Sequence, residues 1–159
     1  MPTVTTISEA ELQQLTSAAL QGLGLRREDA ADAATVLVLA EMMGIRTHGL
    51  SRVLSYGERL QIGGIRAQPQ IRLEPLAPAM ARLDGDNGVG PLVGMRALQA
   101  AMAMARQAGV GMVFARASNH FGPVSPYNLL AAQQGFASLI CSNASTTIAP
   151  WGGSDARLG

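Results

Sequence analysis

Apolar residues recur at helical spacing through the first third of the chain. Ser8-Glu9-Ala10-Glu11 carries a capping-box signature: the serine oxygen can accept from the third helical amide while Glu11 reaches back. Leu12, Leu15 and Ala19 then share one face and predict a helix that ends at Gly22 and Gly24. Glu28 and Asp29 suit the positive end of a second helix, with Ala33, Leu37, Ala40 and Glu41 as its stripe up to Gly44. A third helix is predicted from Leu50 to Leu60, opened by His48 and stopped at Gly63-Gly64.

The pattern changes after Gly64. Pro69 to Glu74 and Ala79 to Asp84 read as short strands joined at Pro75-Leu76-Ala77-Pro78. A loop from Asp84 to Gly90 follows, and Pro91 suits the first turn of a helix that runs to Gln107. Its alanines, Ala97, Ala100, Ala101, Ala103 and Ala105, make it narrow enough to lie close on a sheet, and Met95, Met102 and Met104 read as core filling. Val110 to Ala115 reads as a buried strand, Ser118 to Pro126 as a loop, Tyr127 to Gln134 as a helix and Phe136 to Ser142 as a second buried strand. Strand and helix alternate from Ala79 onward, which predicts an α/β layer with parallel strands. The expected fold class is α/β: an amino-terminal helical lobe over 1–64, then an α/β portion over 65–159. The ending, Ala149 to Gly159, has loop chemistry, and the chain reads as interrupted within a loop beside an exposed sheet edge.

Composition narrows the function. Hydrophobic residues make up 48% and charged residues 14%, which excludes a disordered chain. The formal charge of +1 and an aromatic content of 4% argue against nucleic acid, and no apolar run is long enough to span a membrane. Met1 to Ser8 shows no basic region followed by an apolar one, so a cytoplasmic location is expected. All basic residues are arginine, which removes a lysine Schiff base and a phosphate-binding Walker loop from the chain's own chemistry. Cys141 is the single cysteine, and the histidines have no zinc spacing, so no metal is expected.

Two histidines remain as candidate chemistry. His48, Arg52, Tyr56 and Arg59 fall within one arc of a helix, opposite Leu50, Val53 and Leu54. An imidazole exchanges a proton near neutral pH, and an arginine one turn later can hold a carboxylate through two parallel hydrogen bonds. That set suits a small acid with a neighbouring carbonyl or hydroxyl; a solvated helix face is the alternative. His120, in Ala117-Ser118-Asn119-His120-Phe121-Gly122, follows a predicted strand, where α/β proteins place ligand loops. It either serves a ligand or steadies its own turn. Gly85, Gly88 and Gly90 sit between strand and helix, but their spacing is not the dinucleotide fingerprint and Arg116 stands where a ribose-binding acid would. A tight turn built on flexible glycines is expected there.

Arg46-Thr47-His48-Gly49 with Arg52 and Tyr56, then Asp84-Gly85, Ser118-Asn119-His120-Phe121-Gly122, Asn143 and Ala149-Pro150-Trp151-Gly152-Gly153 resemble, in order, blocks of the malate/L-lactate dehydrogenase family that is not Rossmann-type. The resemblance covers nearly the whole chain, as the amino-terminal half of a family member. It implies that 65–159 is part of a nicotinamide-binding domain and that the full-length protein is a homodimer. It implies NAD- or NADP-dependent hydride transfer between a 2-hydroxy acid and its 2-oxo acid, or reduction of a cyclic imine, with a truncated, inactive binding fragment as the rival. By resemblance His48 corresponds to the proton donor, oriented by Thr47, and His120 to a second active-site histidine. Arg52 matches a substrate-carboxylate arginine, with Tyr56 and Thr147 also on the substrate side. His120, Phe121, Gly122, Pro123, Val124 and Asn143 correspond to cofactor contacts. Pro123 and Pro126 stiffen a loop that is built of small residues in many members.

Overall fold

The computed structural model describes residues 6–158. Met1 to Thr5, most of the Met1–Ser8 stretch that bears on a leader, and Gly159 lie outside the described residues. The helices are α1 (Glu9–Gly22), α2 (Arg27–Met42), α3 (Arg52–Gln61), α4 (Gly90–Ala108) and α5 (Ser125–Gln133), with a 3-10 turn at Arg46–His48. The strands are β1 (Arg72–Ala77), β2 (Met80–Gly88) and β3 (Met112–Ser118), in the sheet order β1-β2-β3. The fold is α/β, as the alternation predicts. β2 and β3 pair in parallel across α4, and β1 pairs with β2 antiparallel.

Local chemistry explains the helix starts. The capping box forms: Glu11 N–H donates to Ser8 Oγ at 3.3 Å, and Ser8 N–H donates to Glu11 Oε2 at 3.1 Å. Pro91 stands in the first turn of α4, and Gly109 ends that helix in the left-handed conformation. α2 is the central helix. Ala30, Ala33, Ala34, Leu37 and Ala40 are buried, and so are Val36 and Val38 on its other sides. One core joins α2 to Leu20, Leu25, Tyr56, Ile65, Val89 and Leu92. A second joins Val36 to Met95, Leu98, Met102, Tyr127 and Ala131. Arg96 of α4 also ties the two helices, with Nη2 3.1 Å from Asp29 Oδ1 and Nε 3.4 Å from Asp32 Oδ2. Burial raises the Asp32 carboxyl above the ordinary range, against the opposing pull of Arg96.

Several expectations need correction. α1 buries Thr16 and Leu20, while Leu15 is exposed, because the inner face runs one position later than the apolar spacing indicates. His48 lies in the 3-10 turn before α3, whose first residue is Arg52. The donor face of α3 turns inward at Tyr56, whereas Leu54 faces outward. Asp84 to Gly88 is the end of β2 and not a loop. Positive φ there falls on Asp86 and Asn87; the glycines serve because they lack a Cβ, which at Gly85 would meet the Ala117 carbonyl oxygen at 2.8 Å.

β3 begins two residues later than expected and is largely exposed, with Phe114 at 55% and Met112 at 47%. β2 is its one partner strand among the described residues. Phe136 to Ser142 forms no strand: Phe136 and Ile140 pack on the second core from α5's side, and Leu139 is 95% exposed. A short apolar run becomes a strand only when it reaches a sheet edge, and this one is held against helices instead.

Candidate active site

The end of α2 sets His48 in place. A Cβ on Gly49 would collide with the Glu41 carboxylate, so the 3-10 turn presses against that helix. Glu41 Oε2 accepts the Leu50 N–H at 3.0 Å, and Ser51 Oγ donates to the Arg46 carbonyl at 2.8 Å. Thr47 Oγ1 lies 2.9 Å from His48 Nδ1. Arg52 Nε donates to the Thr47 carbonyl at 2.7 Å, which fixes the guanidinium beside the turn. No carboxylate among the described residues pairs with Arg52.

His120 is placed from the other side, beyond β3. Asn119 Nδ2 reaches the Asn87 carbonyl at 3.0 Å, Asn87 Oδ1 at 2.9 Å and the Gly88 carbonyl at 3.0 Å, clamping the loop onto the end of β2. The backbone of His120 crosses Gly90 so closely that a Cβ there would overlap the His120 carbonyl. Phe121 stacks on Tyr127 with ring centroids 4.3 Å apart, and Tyr127 Oη donates to the Phe121 carbonyl at 2.8 Å. Gly94 leaves space for that pair, since a Cβ would strike the Phe121 ring.

The two loops meet. The His48 and His120 rings stack with centroids 5.3 Å apart and planes 27° from parallel. Tyr56, 2% exposed, brings Oη to 3.0 Å from His120 Nδ1 and 3.3 Å from the His120 carbonyl oxygen. The structure thus unites His48, Thr47, Arg52, Tyr56 and His120. The solvated-face alternative for α3 fails at Tyr56, and His120 does more than hold its own turn.

Charge in this cluster is one-sided. Burial lowers the His48 imidazole below its ordinary range, and Arg52 lowers it further. Burial also lowers His120, followed by Arg52, His48 and Arg59. Both rings favour the neutral form. Burial holds the Tyr56 phenol well above its ordinary value, with Arg52 opposing. Such a site attracts an anion, and an arriving carboxylate would make protonation of an imidazole easier.

The remaining expected residues are placed differently. Gly122, Pro123 and Val124 continue from His120 into α5 and are half-buried; Gly122 has a φ of 84° and open space where a Cβ would stand. Asn143 and Thr147 are exposed in the segment after α5, where the Thr147 N–H donates to the Leu158 carbonyl. No hydrogen bond joins either to the histidine cluster among the described residues. Sequence reasoning gave no positioning role to Glu41, Asn119, Tyr127 or the Gly90/Gly94 pair. The four-residue spacing of those glycines on α4, which marks a close approach, was the available signal. Among the described residues no group of three His, Cys, Asp or Glu could hold a metal ion, and no helix is long and apolar enough to cross a membrane.

Residues 7–159 match the family model described as malate/L-lactate dehydrogenase. The chain belongs to that family. A malate dehydrogenase from Pyrococcus horikoshii is 38% identical over 140 residues, covering 88% of this chain and 39% of the relative. A ureidoglycolate dehydrogenase (NAD(+)) from Escherichia coli K12 is 36% identical over 153 residues, covering 96% of this chain and 44% of the relative. Among solved structures, a delta1-piperideine-2-carboxylate reductase from Pseudomonas syringae superposes with a TM-score of 0.75 at 27% identity, over 83% of this chain and 40% of the other. This member of the malate/L-lactate dehydrogenase family spans about two fifths of the length of the curated relatives it matches.

Proposed function

We propose that the chain carries the proton-transfer and carboxylate-binding side of an NAD- or NADP-linked oxidoreductase that interconverts a small 2-hydroxy acid and its 2-oxo acid. The supporting observation is the stack of His48 on His120 beside Arg52, a guanidinium with no carboxylate partner among the described residues. With Nε committed to the Thr47 carbonyl, the terminal nitrogens of Arg52 are left to grip the substrate carboxylate. His48, oriented by Thr47 at Nδ1, gives a proton to the substrate carbonyl oxygen during reduction and recovers it during oxidation. His120 walls the other side of the reacting carbon. The half-exposed 121–124 backbone and the open space at Gly122 fit a planar ring beside His120, so Phe121 to Val124 would hold the nicotinamide. When bound, the nicotinamide supplies or accepts the hydride. The reading rests on His48, Arg52 and His120 and gives Asn143 and Thr147 no part in the proton step. The full-length protein is proposed to act as a cytoplasmic homodimer.

A cyclic-imine reductase is the second reading. It is favoured by the structural likeness to the piperideine-2-carboxylate reductase, whose named substrate carries a carboxylate next to its imine carbon. The same Arg52 and His48 would then serve the carboxylate and the imine nitrogen. Titration of NADH and NADPH fluorescence, followed by turnover with pyruvate, oxaloacetate and a cyclic imine carboxylate, tests both. Turnover of a 2-oxo acid supports the first reading, and turnover of the imine alone supports the second. Cofactor binding without any turnover would reduce the chain to a binding fragment.

A further inference from the structure

We propose that Tyr56 is a positioning residue that acts through His120, fixing the imidazole in the form that carries its hydrogen on Nδ1 and presents a bare Nε2 lone pair. The phenol has one proton and sits between two groups, His120 Nδ1 at 3.0 Å and the His120 carbonyl oxygen at 3.3 Å. A carbonyl oxygen can only accept. If Nδ1 carries a hydrogen, it donates to Oη, Oη donates to the carbonyl, and both contacts are satisfied. If Nδ1 is bare, one phenolic proton faces two acceptors and cannot serve both well. Tyr56 is buried and His120 is half-buried, so on the phenol's side water does not readily supply the missing donor, and an acceptor left unpaired there is unfavourable.

The phenol keeps its proton because burial disfavours the phenolate. Nε2 of His120 meets no hydrogen-bond partner among the described residues. It is therefore an acceptor available to a hydroxyl or a protonated group entering the cluster, beside the stacked His48 ring. Tyr56 thus has no hydrogen left to donate to a substrate, and its effect on an acid passes through the imidazole.

The bearing of this on chemistry rests on the dehydrogenase reading above. The tautomer itself is read without substrate or cofactor, so a failure of turnover would leave it standing. The chain has two histidines, both in this cluster, which makes nitrogen NMR of the ring atoms site-specific. At about pH 8, where both rings are neutral, His120 should show a protonated Nδ1 and an unprotonated Nε2. His48→Gln leaves one ring and assigns the signal. Tyr56→Phe keeps the buried ring and removes the hydroxyl, and should return His120 toward the form with its hydrogen on Nε2. A wild-type His120 already protonated at Nε2 overturns the proposal, as does an unchanged tautomer in a folded Tyr56→Phe protein. Should that variant not fold, the wild-type spectrum decides alone.

Discussion

His48 and His120 come from distant parts of the chain, a turn after α2 and a loop after β3, yet their rings stack 5.3 Å apart. Neither has a carboxylate partner among the described residues to favour its charged form, and Arg52 disfavours the charge on both. Each folded-state imidazole therefore binds its proton less readily than in the unfolded chain.

This sets the sign of a pH effect on stability. A histidine whose value is lowered on folding makes the unfolded state the better proton binder. Stability should rise with pH through the window just below the ordinary histidine value of about 6.5 and level off above it. Denaturant midpoints measured between about pH 5 and pH 7.5 should climb, and replacing both histidines with asparagine should flatten most of that slope. A slope of the opposite sign would contradict the charge environment described.

The His120 backbone passes directly against Gly90 of α4. Gly90→Ala should cost about 3 kcal/mol, at the upper end of overpacking penalties, because both sides of the collision are backbone. Urea unfolding checks the magnitude. A loss below about 0.5 kcal/mol would mean that this loop is not seated as described.

Asn119 clamps the same loop through the end of β2. Asn119→Ala should lower stability by about 1–2 kcal/mol. It should also speed hydrogen exchange at residues 119–122 well beyond the average for the chain. Uniform exchange across the molecule would instead indicate a global effect.

Much of this was legible locally. Ser8 and Glu11 form their cap from neighbours in sequence, and Pro91 and the alanines of α4 act within one helix. Residues whose state depends on distant partners were misread. Leu15 looks like an inner position until Thr16 and Leu20 are seen against α2, and Phe136 to Ser142 looks like a strand until no sheet edge meets it. In the site, His48, Arg52 and His120 were marked by residue type and position. The Tyr56–His120 hydrogen bond spans 64 positions, and no periodicity encodes it. Asp84 to Gly88 misled because glycine commonly signals a turn; here two glycines let β2 lie against Ala117 and Pro69.

Arg52 tests the carboxylate side. Lysine keeps the charge but loses the planar fork and the Nε bond to Thr47. If the proposed dehydrogenase function holds, Arg52→Lys in the active enzyme should raise KM for the 2-oxo acid at least about tenfold, the equivalent of one charge-assisted hydrogen bond. Steady-state kinetics at fixed cofactor reads this, and an unaltered KM would remove Arg52 from the substrate.

In the proposed function both imidazoles and one guanidinium form a single site for a small acid. The most direct measurement is a titration of this chain with malate at about pH 7, following the ring resonances of its two histidines. Both should shift along one common isotherm and titrate at a higher pH once malate is bound, and Arg52→Ala should abolish the response. Two rings that respond independently, or that shift equally without Arg52, would contradict it.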